Sequence, residues 1–154
     1  MGASHEPARG AASFAGGASS RPMSVAVTDS HALIWYAMGP TRRLGRRART
    51  VFERAERGLA TVYVPVLVLV EISDAVRRGS VRCEPGFSRW SSQLLASPGF
   101  VAADLTPAIV LEAEALYGIP ERGDRLIAAT AASLGCPLIT SDSRIAHQGI
   151  ETLW

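Results

Sequence analysis

Apolar and polar positions along this chain switch between two periods, and the switching predicts strands separated by helices. Short β-branched or apolar runs predict strands at 24–28, 61–64, 100–103, 137–140 and 151–154. Helical spacing predicts helices at 30–38, 42–57, 66–78, 85–96, 107–117 and 124–134, and a single turn at 143–147. Because strands and helices alternate, the pattern predicts an α/β domain with a mostly parallel sheet covered by helices on both faces.

The first 22 residues have no such period and are rich in Gly, Ala and Ser. They lack a continuous apolar run, so a signal peptide is not indicated. We expect residues 1–22 to be a disordered extension, or translated sequence upstream of a start at Met23, followed by one domain over 23–154.

Two further absences in the sequence bear on location. No apolar run approaches the roughly 20 residues of a membrane helix, which predicts that there is no membrane partner. Cys83 and Cys136 lack the spacing of a zinc site, and we expect free thiols in a reducing cytoplasm.

Acidic residues stand where the predicted sheet would bind a ligand. Asp29 follows the first strand and Asp142 follows the fourth, and open α/β sheets bind ligands at the carboxyl ends of their strands. Asp124 begins the helix before the fourth strand, where a carboxylate can accept free backbone N–H groups. We therefore ask whether further acids reach the same edge.

Glu71 is the most informative acid, because it lies within a predicted helix that is apolar nearly all round. We expect that helix to be largely buried. A buried carboxylate costs several kcal/mol unless it is paired or binds a metal. Two interpretations stay open, namely an ion pair with an arginine and a carboxylate that faces a cleft. Asp74, one turn later, is expected on the surface.

Composition excludes several kinds of site. All 16 basic residues are arginine, so a P-loop, which needs a lysine, is excluded. The absence of lysine also counts against a receiver domain, which uses a lysine beside its acidic pocket. The turn after the first strand has no G-x-G-x-x-G motif for a dinucleotide. His5 and His147 are poorly placed to serve a nucleophile, and a phosphatase of another α/β fold would need an aspartate where His31 stands.

The remaining acids favour a divalent cation. Carboxylates drawn together repel one another, and a cation relieves that repulsion. Hard oxygen ligands without cysteine or histidine suit Mg²⁺ or Mn²⁺, and such a site is typical of phosphodiester cleavage.

Four segments together resemble the PIN domain, in particular the VapC-type toxins of bacterial toxin–antitoxin pairs. They are TDSHALIW at 28–35, VEI at 70–72, GDRLIAATA at 123–131 and LITSD at 138–142. The resemblance implies a three-layer α/β/α fold whose five-stranded parallel sheet has the order 3-2-1-4-5. It also implies a metal-dependent endoribonuclease, a homodimer, and a VapB-like antitoxin whose tail lies across the acidic cleft.

By position, the family's four acids correspond to Asp29, Glu71, Asp124 and Asp142. In the mechanism that we hypothesise, Asp29, Asp124 and Asp142 hold one or two metal ions directly or through water. Glu71 orients a water or a second metal ion, and RNA is the substrate. The alternative is a PIN-like module that binds RNA or protein without cleaving.

Three smaller questions stay open at this stage. The basic side of the helix at 42–57, Arg42–Arg49, is either a solvated face or a nucleic-acid contact. Ser30 either bonds within the Asp29 turn or caps the next helix. His31 is either packed or a metal ligand, and the hard oxygen donors already available favour packing.

Overall fold

The computed structural model describes residues 24–154, so the expectations for residues 1–22 and for Met23 lie outside the described residues. The strands are β1 (Ser24–Thr28), β2 (Ala60–Pro65), β3 (Phe100–Ala103), β4 (Leu138–Ile139) and β5 (Thr152–Leu153). The helices are α1 (Ser30–Ala37), α2 (Arg46–Glu56), α3 (Val66–Arg77), α4 (Phe87–Ala96), α5 (Pro107–Glu114), α6 (Arg122–Leu134) and α7 (Ser143–Ala146).

The five strands form one parallel sheet in the order β3-β2-β1-β4-β5, with helices on both faces, which confirms the predicted fold. The order reverses between β1 and β4, where Thr28 pairs with Ile139. Chain segments that leave these two strands diverge at their carboxyl ends and open a crevice between them. The fold therefore brings the residues after β1 and β4 together.

The core follows from the apolar strands. Ala26 and Val27 of β1, Val62 and Val64 of β2, and Ile139 of β4 are fully buried, as expected for strands covered on both faces. Aromatic rings join helices to the sheet, since Phe52 of α2 stacks between Tyr36 and Phe100 at 4.6 and 6.4 Å between ring centroids. No helix within residues 24–154 is long and apolar enough to span a membrane.

The predicted helix at 42–57 begins later than the pattern indicates. A 3₁₀ turn occupies Thr41–Arg43, the backbone is extended at Leu44 and Gly45, and α2 begins at Arg46. The break allows close packing, because a Cβ at Gly45 would overlap the Trp154 side chain. The buried Leu44 anchors the break in the core.

The expectation that the helix carrying Glu71 is largely buried was wrong. Only Val68 and Ile72 of α3 are buried, whereas Val66 and Val70 are 37% and 48% exposed. The helix packs on one side against α1, α4, α6 and β2, and its other side faces solvent. The apolar sequence of α3 therefore leaves an apolar surface exposed to solvent.

Candidate active site

Asp29 is fixed at the carboxyl end of β1 by its own backbone and side chain. Its N–H donates to the carbonyl of Ile139, and its Oδ1 accepts from the N–H of Ala32 at 2.8 Å, which makes it the N-cap of α1. Burial raises the pKa of Asp29, against the lowering effect of hydrogen bonds from Thr140 and Ala32. Asp124 raises it further, which places a second carboxylate nearby.

Glu71 reaches the same crevice from α3, between α1 and α6. The hydroxyl of Ser30 donates a hydrogen bond to Glu71 Oε2, so neither interpretation of Ser30 drawn from the sequence was right. On the other side, Glu71 Oε1 lies so close to Gly123 that a Cβ at position 123 would overlap it. Glu71 has no salt bridge with an arginine within residues 24–154, which favours the interpretation of a carboxylate facing a cleft.

The four predicted acids line two adjoining cavities at one edge of the sheet. The first, of about 420 Å³, is lined by Asp29, Glu71 and Asp124, and we call it the Glu71 cavity. The second, of about 270 Å³, is lined by Asp29, Asp124 and Asp142, and we call it the Asp142 cavity. Asp29 and Asp124 therefore stand between the other two acids, and both cavities together form the acidic cleft.

Asp124 lies in the first turn of α6, where its side chain makes no capping hydrogen bond. Glu121 is the N-cap by position, so the expected role of Asp124 in capping was wrong. Burial raises the pKa of Asp124, and the negative charges of Glu71, Glu121 and Asp142 raise it further. Asp124 is thus held by the fold among like charges.

Arg144 forms salt bridges with three acidic residues of the cleft. Its Nη2 is 2.8 Å from Asp142 Oδ2 and 3.9 Å from Asp124 Oδ2, and its Nη1 is 3.2 Å from Glu121 Oε2. The Arg144 guanidinium holds the pKa of Asp142 below its ordinary value. Asp142 also accepts from the N–H of Arg144 as the N-cap of α7.

Sequence reasoning missed three residues of the cleft. Arg144 and Glu121 belong to no motif, and their distances from the acids place them in the cleft. The available signal was proximity in the chain, since Arg144 stands two residues after Asp142 and Glu121 three residues before Asp124. Asp74 is exposed, as expected, yet it borders the Glu71 cavity. The spacing of Glu71 and Asp74 by three residues on one helix was the available signal, because such residues share a face.

His31 borders both cavities of the acidic cleft, but its ring packs against that of Trp35 with 5.7 Å between centroids. His31 is nevertheless exposed, so this contact does not decide between the packed interpretation and a metal ligand.

The chemistry of the donor set fits a hard divalent cation. Carboxylates are the preferred ligands of Mg²⁺ and Mn²⁺. Burial, and after it the charge of neighbouring carboxylates, raises the pKa of Asp29 and of Asp124, and a cation between them would stabilise their charged forms. No group of three or more such side chains within residues 24–154 is already arranged around one point. An ion would therefore be held partly through water, as Mg²⁺ commonly is, or after small side-chain shifts.

The fold and the acidic cleft define an α/β protein with a ligand crevice at the reversal of strand order. A family model for the PIN domain matches residues 26–150, and the chain belongs to the PIN domain family. PIN domains are generally nucleases and generally use divalent metal ions. A comparison with curated protein sequences found no match.

Several solved structures share the fold. VapBC2 from Rickettsia felis, bound to a DNA fragment from its promoter, gives a TM-score of 0.61 at 14% identity, over 84% of this chain and 97% of that one. FitAcB from Neisseria gonorrhoeae gives a TM-score of 0.59 at 12% identity, over 84% of this chain and 96% of that one. A toxin–antitoxin complex from Klebsiella pneumoniae gives a TM-score of 0.51 at 18% identity, over 77% of this chain and 87% of that one.

Proposed function

We propose that this protein is a Mg²⁺- or Mn²⁺-dependent endoribonuclease and the toxin of a VapBC-like toxin–antitoxin pair. The observation that carries the proposal is the convergence of Asp29 and Asp124, both with raised pKa, between Glu71 and Asp142 in one cleft. Such a cleft suits a cation and the phosphodiester that the cation would activate.

Each acid has a distinct role in the proposed mechanism. Asp29, Asp124 and Asp142 hold the ion directly or through water, from the ends of β1, α6 and β4. Bound there, Mg²⁺ or Mn²⁺ supplies a Lewis acid for phosphodiester hydrolysis. Ser30 occupies Glu71 Oε2, so Oε1 is the carboxylate oxygen left to orient the attacking water and accept its proton.

An apolar groove beside the cleft supports the antitoxin as a partner. Its walls are Val66, Leu69 and Val70 of α3 and Phe87 of α4, and Asp74 borders both this groove and the Glu71 cavity. An antitoxin could cover the groove with apolar side chains and continue into the cleft with a basic tail. The Klebsiella pneumoniae complex, which shares this fold, is a precedent for such a pair.

A second apolar surface supports a homodimer. Val110 and Leu111 of α5 and the nearby Tyr117 are 44%, 73% and 88% exposed, and apolar surface of this kind is typical of an interface. We place this assembly in the cytoplasm, where the free Cys83 and Cys136 would stay reduced.

The test of the function is cleavage of RNA with Mg²⁺ or Mn²⁺ and with EDTA. We expect cleavage only with a divalent ion, and its loss in Asp29→Asn. The asparagine can still accept from the Ala32 N–H, so the N-cap and the fold should survive. Asp104→Asn, at an exposed aspartate outside the cleft, is the matched control. Binding of RNA without cleavage under all conditions would favour the non-catalytic module instead.

Arg144 gives a second prediction, because its guanidinium competes with a metal ion for the same carboxylates. We expect Arg144→Gln to tighten Mn²⁺ binding by about two- to fivefold, as for removal of an exposed ion pair. The metal-free protein should melt at a lower temperature, since the acids then repel without compensation. Isothermal titration with Mn²⁺ and thermal denaturation measure the two effects.

The control is Arg122→Gln, which removes the same charge from an arginine with no salt bridge within the described residues. Weaker Mn²⁺ binding by Arg144→Gln would show that Arg144 arranges the acids rather than competing for them.

A further inference from the structure

A third cavity, of about 460 Å³, adjoins the Glu71 cavity and differs from it in charge. The two share His31, Ile34, Ala75 and Arg78 as lining residues, so they lie side by side. The remaining wall carries Trp35, Met38, Arg43 and Arg82, with no acidic side chain among the lining residues. We call it the arginine cavity.

The arginines of this cavity are available to a ligand. Arg43, Arg78 and Arg82 are all exposed, and none of them forms a salt bridge within residues 24–154. Arginine presents a planar set of donors that matches a phosphate group in two parallel hydrogen bonds. Three such groups beside an acidic cleft are suited to an anion that also enters the cleft.

Trp35 gives the cavity a flat aromatic wall held in a fixed orientation. The Trp154 ring meets it edge-on at 74° with 5.7 Å between centroids, and His31 packs against it at the same distance. The Arg43 guanidinium lies over the Trp35 ring, with its carbon 5.9 Å from the ring centre, so a base that stacks on this face takes the place of Arg43. An aromatic face with a neighbouring arginine is the arrangement on which unpaired nucleobases stack.

The charge of the acidic cleft explains why a neighbouring cationic site is needed. Asp29, Glu71 and Asp124 repel the phosphates of RNA, and a divalent ion offsets only part of that charge. Contacts outside the cleft must therefore hold the substrate while one phosphate lies among the acids. The arginine cavity adjoins the cleft, with which it shares four lining residues.

We propose that the arginine cavity is a subsite for an unpaired ribonucleotide beside the one whose phosphate is cut. Its base stacks on Trp35, and its phosphate is bound by Arg78 and Arg82. The volume lies within the range of about 300–1,000 Å³ that is usual for small-ligand sites. This assignment rests on the proposed ribonuclease function, since it names how the substrate of that site is held.

The test measures binding of a short unpaired oligoribonucleotide by fluorescence anisotropy in EDTA, where cleavage does not occur. We expect Trp35→Ala to weaken binding about tenfold or more and Trp35→Phe to bind nearly as tightly as the wild type. Arg78→Gln and Arg82→Gln should weaken binding and reduce its dependence on salt concentration. Arg89→Gln, an exposed arginine of α4 outside the cavity, should change neither.

A duplex of the same sequence serves as the second probe and should bind more weakly than the single strand, because its bases cannot reach Trp35. In the cleavage assay with Mg²⁺, the variants should raise KM more than they lower kcat, since they remove binding and not chemistry.

Three results of the binding assay would overturn the subsite. One is unchanged RNA binding in Arg78→Gln and Arg82→Gln. These two variants test the subsite even if Trp35→Ala fails to fold. Another is an equal loss of binding in Arg89→Gln, which would show that only overall charge matters. The third is tighter binding of an acidic peptide than of RNA at the same arginines, which would assign the cavity to a protein partner.

Failure of the subsite and failure of the function are distinguishable. The expected binding pattern in EDTA without any cleavage in Mg²⁺ would overturn the nuclease and support the subsite. Cleavage in Mg²⁺ with unchanged KM in the Trp35 and arginine variants would overturn the subsite alone.

Discussion

Asp124→Asn is expected to reduce metal-dependent RNA cleavage about 100-fold or more while making the metal-free protein more stable. The loss of activity follows because Asp124 borders both cavities of the acidic cleft and is a proposed ligand of the ion. The gain in stability follows because burial and the charges of Glu71, Glu121 and Asp142 raise the pKa of Asp124. Its charged form is therefore unfavourable in the folded state near neutral pH.

The sign of the stability effect sets its pH dependence. When folding raises the pKa of a carboxyl group, the folded protein loses stability as the pH rises. For Asp124 this loss begins at the ordinary pKa of 3.8 and continues up to the raised pKa. Asp124→Asn should remove that loss. Because Asp124 is partly exposed to solvent, we expect a gain of about 1 kcal/mol at most, or about 2–4 °C in Tm. The gain should disappear below the ordinary pKa, where both side chains are neutral.

Thermal denaturation in EDTA at two pH values, with and without Mn²⁺, measures these effects beside the cleavage assay. The wild type should gain Tm on addition of Mn²⁺, and Asp124→Asn should gain much less. Asp104→Asn, which removes an exposed carboxylate outside the cleft, should behave as the wild type. Retained cleavage together with an undiminished Mn²⁺ effect would remove Asp124 from the site.

Gly123→Ala is expected to lower RNA cleavage about 10- to 100-fold without destabilising the protein. A Cβ at position 123 overlaps Glu71 Oε1, which is the end of a flexible side chain and can move away. The carboxylate would then leave its place between Ser30 and α6, and its proposed role in orienting water would be lost. Alanine in the first turn of a helix is otherwise favourable, so Tm should not fall.

A double-mutant cycle with Glu71→Ala tests whether Gly123→Ala lowers cleavage by displacing the Glu71 carboxylate. When Glu71 has no carboxylate to displace, adding Gly123→Ala should cause little further loss of activity. Independent losses that multiply would show that Gly123 acts through something other than Glu71. Full activity of Gly123→Ala would show that the position of the carboxylate is not critical.

Much of the architecture was predictable because it depends on local patterns. Apolar runs of four to five residues separated by helical stretches are enough to predict alternating strands and helices, and the structure agrees closely for β1 and β3. The placement of Asp29 and Asp142 followed from one rule, that parallel strands end at the same edge of the sheet. The helix predicted to end at residue 134 does so, because Gly135 follows it in the left-handed conformation at φ 62°.

Other expectations failed where distant contacts outweigh local preference. The helix predicted from residue 42 gives way at Gly45 to the packing of Trp154, which is more than a hundred residues away. The apolar helix α3 is exposed along one side because the sheet can cover only one face of it. A periodicity pattern records which residues are apolar, but it does not record which neighbours are available to cover them.

By itself, the sequence determined the order of strands and helices and the presence of acids at their ends, because chain geometry places those residues within a few positions of each element. Tertiary structure decided the rest. It set Glu71 between Ser30 and Gly123, Arg144 among the acids, and Trp35 beside three arginines. The contacts of Ser30 with Glu71 and of Arg144 with Glu121 join residues 41 and 23 positions apart in the chain. The strength of such electrostatic interactions depends on the distance between the side chains in space, which local sequence patterns do not record.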